Sequence, residues 1–205
     1  MFIFFELFSR FVGKSELEHL IIKHTTGENK RIPMKNITDI WRSLKYLDIG
    51  GLRSSHLSKF KQLENLVELR GTIIYHSKNY ILHCSNLKNL RHMEFTFEIE
   101  DPINRISIKD QDEIVENLET LILVHKYPNV NPFLKIDLKS FKRLSTIGVD
   151  KEHVDYLLDK VTENMHFIVN RLNSIEEIRD VGEKIISKGH SVTYMNANNI
   201  DPLEE

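Results

Sequence analysis

The sequence predicts an α/β solenoid, with a parallel β-sheet on its concave face and helices and loops on its convex face. Three observations carry this expectation. A short apolar motif recurs along most of the chain. Similar flanking residues lead into several of its copies. Both ends read as helices with one apolar face, as a stack of repeats needs where its core would otherwise meet water.

Residues 1–14 come first. Phe4, Leu7, Phe8 and Phe11 fall on one face of a helix, which predicts an N-terminal cap. The apolar density here is similar to that of a signal-peptide core. Glu6 and Arg10 interrupt it, however, and neither a leading positive stretch nor a small-residue cleavage site is present. The expected location is intracellular, cytoplasmic or nuclear. The single cysteine, Cys84, agrees with a reducing compartment and permits no internal disulfide.

Residues 15–150 hold the core repeats. Each carries an apolar residue, another three positions on, and a third two positions further. The copies are Leu17, Leu20 and Ile22; Leu44, Leu47 and Ile49; Leu66, Leu69 and Gly71; Leu90, Met93 and Phe95; Leu118, Leu121 and Leu123; Leu144, Ile147 and Val149. Their starts are separated by 27, 22, 24, 28 and 26 residues. The last two members of each copy alternate as a half-buried strand does. Before them, Phe60 with Leu63, and Leu138 with Phe141, continue the apolar pattern at helical spacing. Asn65, Asn89, Asn117 and Asn164 each precede a motif. They are expected to end a helix, because asparagine tolerates the left-handed conformation found there.

Residues 151–195 read as degenerate repeats and a C-terminal cap. A weak copy is expected at Met165 and Ile168, and a last strand over Ser191–Met195. A helix over residues 151–162 has Val154, Leu157, Leu158 and Val161 on its apolar face. A second, over 174–188, starts at Ser174 with Glu177 three positions on, a capping box. Its buried face is expected to hold Ile175, Ile178, Val181, Ile185 and Ile186, and Gly189 stops it. Residues 196–205 are polar and read as a flexible tail. The whole makes one domain over residues 1–195 with about seven repeats.

These repeats resemble the leucine-rich-repeat family, strongly from Ser15 to Val149 and weakly beyond. The resemblance implies a non-enzymatic module that binds another protein through its concave surface. The common repeat carries an asparagine three positions after the last leucine. Thr25, Leu52, Ile74, Glu98, Lys126 and Glu152 stand there instead. In this, and in uneven repeat length, the chain is similar to F-box and ribonuclease-inhibitor-like leucine-rich proteins. A narrower alternative is the substrate-recognition part of an F-box-type ubiquitin ligase subunit. Against it, no F-box is visible, and only Met1 to Lys14 precede the first repeat.

The strand register then names the candidate binding residues. His19, Tyr46, Asp48, Glu68, Arg70, His92, Glu94, Thr120 and Ile122 are expected on the concave face, with Val124, Gly148 and Asp150 beside them. Asp48, Arg70 and Glu94 should lie side by side on neighbouring strands. They read either as a cross-strand charge ladder or as a partner-binding stripe with Tyr46 and His92.

Other chemistry finds little support. Gly13, Lys14 and Ser15 resemble the end of a phosphate loop, but Phe8 occupies the position of its first glycine. His76, His83, Cys84 and His92 match no zinc spacing. Asp110, Asp112, Glu113 and Glu116 read as a solvated helix start. No catalytic residue, cofactor, metal or small-molecule substrate is expected, and no apolar run long enough for a transmembrane helix exists.

Net charge is −2 over 205 residues, which conceals a split. Residues 1–92 hold 15 Lys/Arg against 8 Asp/Glu, a net of +7, while residues 93–205 hold 13 against 22, a net of −9. Stacked in order, the repeats would have a basic front and an acidic rear. Such a dipole steers partners, and head-to-tail homo-oligomers are one consequence. The basic residues of the front are too spread out to predict a nucleic-acid site.

Overall fold

The computed structural model describes residues 18–22, 43–52, 60, 63–73, 79–84, 86–98, 105–109, 112, 114–126, 133, 136–161 and 164–195. The expected N-terminal cap over residues 1–14 and the tail over residues 196–205 lie outside them.

The fold is α/β. Eight strands form one parallel sheet: β1 (His19–Ile22), β2 (Tyr46–Leu52), β3 (Glu68–Ile73), β5 (His92–Phe97), β7 (Thr120–His125), β8 (Thr146–Asp150), β9 (His166–Asn170) and β10 (Ser191–Tyr194). Their spatial order is their chain order, so each strand pairs with the next one in the sheet by sequence. This arrangement is compatible with a solenoid.

One ladder of residues forms the core. Leu20, Leu47, Leu69, Met93, Leu121, Ile147, Phe167 and Val192 are partners in register across all eight strands. From Leu47 to Phe167 they are fully buried. Ile49, Phe95, Leu123, Val149 and Val169, two positions on in their strands, are buried beside them. Leu44, Leu66, Leu90 and Leu118 close the core at the strand entrances. Each fully buried Leu or Phe contributes roughly 1.5–3 kcal/mol through area removed from water.

The degenerate repeat sits one residue from its expected register. Phe167, not Ile168, pairs with Ile147, and Phe167 and Val169 are buried. Asn164 takes φ 64, a left-handed turn that resets the pleat before the strand. A one-residue shift exchanges the two faces of a strand, so Phe167 and Val169 go inward while His166, Ile168 and Asn170 lie on the other face.

The other asparagines do something different from the expected helix ending. Among the described residues, φ is positive at Asn86, Asn164 and Arg171 but not at Asn65, Asn89 or Asn117. Asn89 Nδ2 donates to the Glu64 carbonyl at 3.0 Å, and Asn117 Nδ2 donates to the Lys88 carbonyl at 2.7 Å. Each therefore ties its repeat to the one before. The sequence carries no asparagine ladder after the strands, and these asparagines stand at the strand entrances instead. Next to it, single carbonyls accept pairs of backbone N–H groups from the following repeat: Glu18 from Lys45 and Tyr46, Lys45 from Val67 and Glu68, Val67 from Arg91 and His92.

Helices are few among the described residues. Between β2 and β8 the described residues that lead into the strands form turns and short 3-10 pieces, and the rest of each expected helix lies outside the described residues. Two connections carry strands instead. β4 (Asn79–His83) and β6 (Arg105–Lys109) pair in parallel as a second sheet. The sequence Arg-Ile-Ser-Ile-Lys alternates with the strand period of 2, which favours this outcome. β2 also departs from a plain strand. Its register shifts between Ile49 and Leu52, and Gly51 takes φ 76 there, as a bulge with a left-handed residue demands.

The C-terminal unit contains α1 (Val154–Leu158), shorter than expected, and α2 (Ile175–Ser187). Ser174 Oγ accepts from the Glu177 N–H at 3.2 Å, as an N-cap does. The Glu177 carboxylate reaches the Asn173 N–H at 2.8 Å, one residue before the cap, and also contacts Lys151. Gly189 has φ 83 and ends the helix. Ile185 is buried and Ile178 and Val181 are partly buried, but Ile186 is 62% exposed. The apolar stripe turns away from the sheet before reaching it. Tyr194 Oη donates to the Ile178 carbonyl at 3.0 Å and locks α2 onto β10.

Candidate partner-binding face

The side of the sheet opposite the buried ladder carries two rows. His19, Tyr46, Glu68, His92, Thr120, Thr146, His166 and Ser191 are register partners in the first. Ile21, Asp48, Arg70, Glu94, Ile122, Gly148, Ile168 and Thr193 form the second. The register thus brings all nine expected residues onto one face.

Their environments differ. Arg70 is the centre of a charge network. Its Nε and Nη2 both lie 2.7 Å from Glu68 Oε1, and its Nη1 lies 3.4 Å from Glu94 Oε2 on the next strand. His92 Nε2 is 3.4 Å from the same Glu94 oxygen. The His92 hydrogen bond and the Arg70 charge hold the Glu94 carboxyl below its ordinary range, against burial, which pushes it up. Glu94 is therefore ionised at neutral pH. The Arg70 side chain remains 41% exposed, so the network faces solvent. The His19 and Tyr46 rings stack at 5.6 Å beside it. Ile21 is 55% exposed next to Asp48.

The face changes character at β7. Ile122 is only 5% exposed, which removes it from the candidate binding residues. Its register partner is Gly148, and a Cβ built on that glycine would lie 2.5 Å from Ile122 Cγ2. The missing side chain leaves a gap that Ile122 fills. Val124 and Asp150 are buried as well. Asp150 accepts from the His125 N–H at 2.8 Å and from Asn170 Nδ2 at 3.3 Å, with Arg171 Nε 3.7 Å away. Burial pushes its carboxyl above the usual range, while the His125 hydrogen bond and the Arg171 charge oppose that. It is a structural group that joins three strand ends. The accessible charged surface thus lies on β2, β3 and β5.

A second feature was not expected from sequence. A groove of about 520 Å3 follows the strand entrances, lined by Glu18, Ser43, Lys45, Asn65, Val67, Asn89, Arg91 and Asn117. Lys45 Nζ pairs with Glu18 Oε1 at 2.6 Å, and Arg91 Nη1 lies 3.7 Å from Glu119 Oε1. The Asn-before-motif pattern was its signal in the sequence.

Among the described residues no group of three His, Cys, Asp or Glu side chains is placed to hold a metal. No described helix is long and apolar enough to cross a membrane. Cys84 is buried. The phosphate-loop fragment at Gly13, Lys14 and Ser15 lies outside the described residues, as does His76. So does the basic excess of the front. Described side chains up to His92 balance, with Lys45, Arg70, Lys88 and Arg91 against Glu18, Asp48, Glu64 and Glu68. No family model matches the chain, and no curated protein or solved structure matches it.

Proposed function

We propose that this protein is a non-enzymatic, leucine-rich-repeat-type module that binds a partner protein on the concave face of its sheet. The observation that supports the reading is the register. It aligns Tyr46, Asp48, Glu68, Arg70, His92 and Glu94 on adjacent strands, with their side chains partly exposed. Arginine and tyrosine are enriched in protein interfaces, where a few residues dominate the binding energy. Mixed charge suits recognition of a surface with complementary charge. A single buried cysteine supports an intracellular setting.

The reading is tested by affinity capture from the native host with mass-spectrometric identification. Wild type is compared with a protein carrying Asp48→Ala, Arg70→Ala and Glu94→Ala together. The variant should keep its circular dichroism spectrum and lose the captured partner. Undiminished capture would place the binding surface elsewhere.

A further inference from the structure

The charge on the open face is ordered, not merely mixed. Asp48, Arg70 and Glu94 are register partners on β2, β3 and β5, so negative, positive and negative groups follow one another across the sheet. Neighbouring strands are about 4.8 Å apart, which separates the register positions of Asp48 and Glu94 by about 9.6 Å. With Glu68 the patch holds three carboxylates and one guanidinium, a net of −2 over these four groups. The pattern has borders. On one side the next position in the row is the buried Ile122, and on the other it is the exposed Ile21.

We propose that the patch receives one α-helix of a partner protein, laid across the strands, presenting Lys or Arg at positions i and i+7 and Asp or Glu at i+4. The inference rests on the protein-binding reading and adds the partner's chemistry. Charge complementarity sets the signs and makes the partner face net basic. Spacing selects the helix. Positions i, i+4 and i+7 share one helix face and rise about 6.0 and about 10.5 Å at ~1.5 Å per residue, against about 4.8 and about 9.6 Å on the sheet, so each contact is within about 1.2 Å. An extended segment crossing the strands repeats its same-face side chains every ~6.8 Å and is about 2 Å out of step at the first contact. The stacked Tyr46 and His19 rings lie next to Asp48 and offer an aromatic surface to a neighbouring cation.

Two fluorescein-labelled, alanine-based helical peptides test this on the full chain by fluorescence polarisation. One carries Lys, Glu and Lys at i, i+4 and i+7, and the other carries Glu, Lys and Glu. The first should bind at least tenfold more tightly, with the preference shrinking in high salt. A variant with Asp48→Lys, Arg70→Glu and Glu94→Lys should invert the preference, an outcome that misfolding cannot produce. Should that variant fail to fold, Asp48→Asn with Glu94→Gln should cut the preference below threefold. Equal binding of both peptides, binding of neither, or an unchanged preference in the folded variants overturns the inference. If the peptides fail but lysate capture still depends on Asp48, Arg70 and Glu94, the helix inference falls and the concave-face reading stands. If capture ignores those residues, the reading beneath it falls too.

Discussion

Ile122 lies over Gly148. A Cβ on the glycine would meet Ile122 Cγ2 at 2.5 Å, Cγ1 at 2.7 Å and Cβ at 2.8 Å. Because Ile122 Cβ is itself in the way, rotation of the side chain alone does not clear the space. Gly148→Ala should therefore cost about 1–3 kcal/mol through overpacking. Ile122→Ala in the same chain should recover part of that loss. Urea unfolding of both single variants and the double variant measures the coupling, and strict additivity would contradict the contact.

Leu121 occupies the centre of the buried ladder, between Met93 and Ile147. Leu121→Asp places an unpaired charge in the core and should abolish cooperative unfolding. Leu121→Met conserves volume and should cost less than about 1.5 kcal/mol. Thermal melts followed by circular dichroism separate the two, and an unchanged melt for the aspartate variant would refute the register.

Asn117 donates to the Lys88 carbonyl at 2.7 Å and so links two repeats. Removing it should cost about 0.5–1.5 kcal/mol, the range for one such hydrogen bond. Asn117→Ala should thus lower the urea midpoint with little change in slope. An asparagine serving as a left-handed helix end would instead tolerate Gly. Asn117→Gly here should be at least as damaging as Asn117→Ala.

The two perturbed carboxylates predict opposite pH slopes. The His92 hydrogen bond and Arg70 lower Glu94 from 4.5 in the folded chain, with burial opposing them. The unfolded chain then binds the extra proton first as pH drops. The Glu94 contribution is present above pH 4.5 and is lost as pH falls through the folded value. Burial chiefly raises Asp150 from 3.8, so its contribution is full below that value and lost as pH rises through its folded one. Stability measured from pH 3 to 7 should show Glu94→Gln losing least, relative to wild type, in acid. Asp150→Asn should lose most there. Parallel curves would contradict both assignments.

Much of the sheet was legible in the sequence. The apolar triplets place Leu47, Leu69, Met93, Leu121 and Ile147 in the core because strand alternation and repeat stacking impose the same positions. The alignment of Asp48, Arg70 and Glu94 follows from that register directly. What was not legible depends on neighbours far along the chain. Ile122 looks outward by alternation, yet it is buried and packs into the space that the absent side chain of Gly148 leaves. The slip at Phe167 follows a left-handed Asn164, a conformation that apolar spacing does not reveal. Ile186 fits a helical stripe, yet it stays exposed while Ile185 beside it is buried. The entrance asparagines were visible as a pattern, but their role required seeing the carbonyls of the preceding repeat.

Carboxyl footprinting of the protein, alone and with its captured partner, tests the central claim most directly. Carbodiimide labelling read by mass spectrometry reports each carboxylate separately. If the partner sits on the open face of β2, β3 and β5, then Asp48, Glu68 and Glu94 lose labelling in the complex while Glu116, Asp155 and Glu183 do not. Equal labelling of Asp48, Glu68 and Glu94 with and without partner would contradict the account.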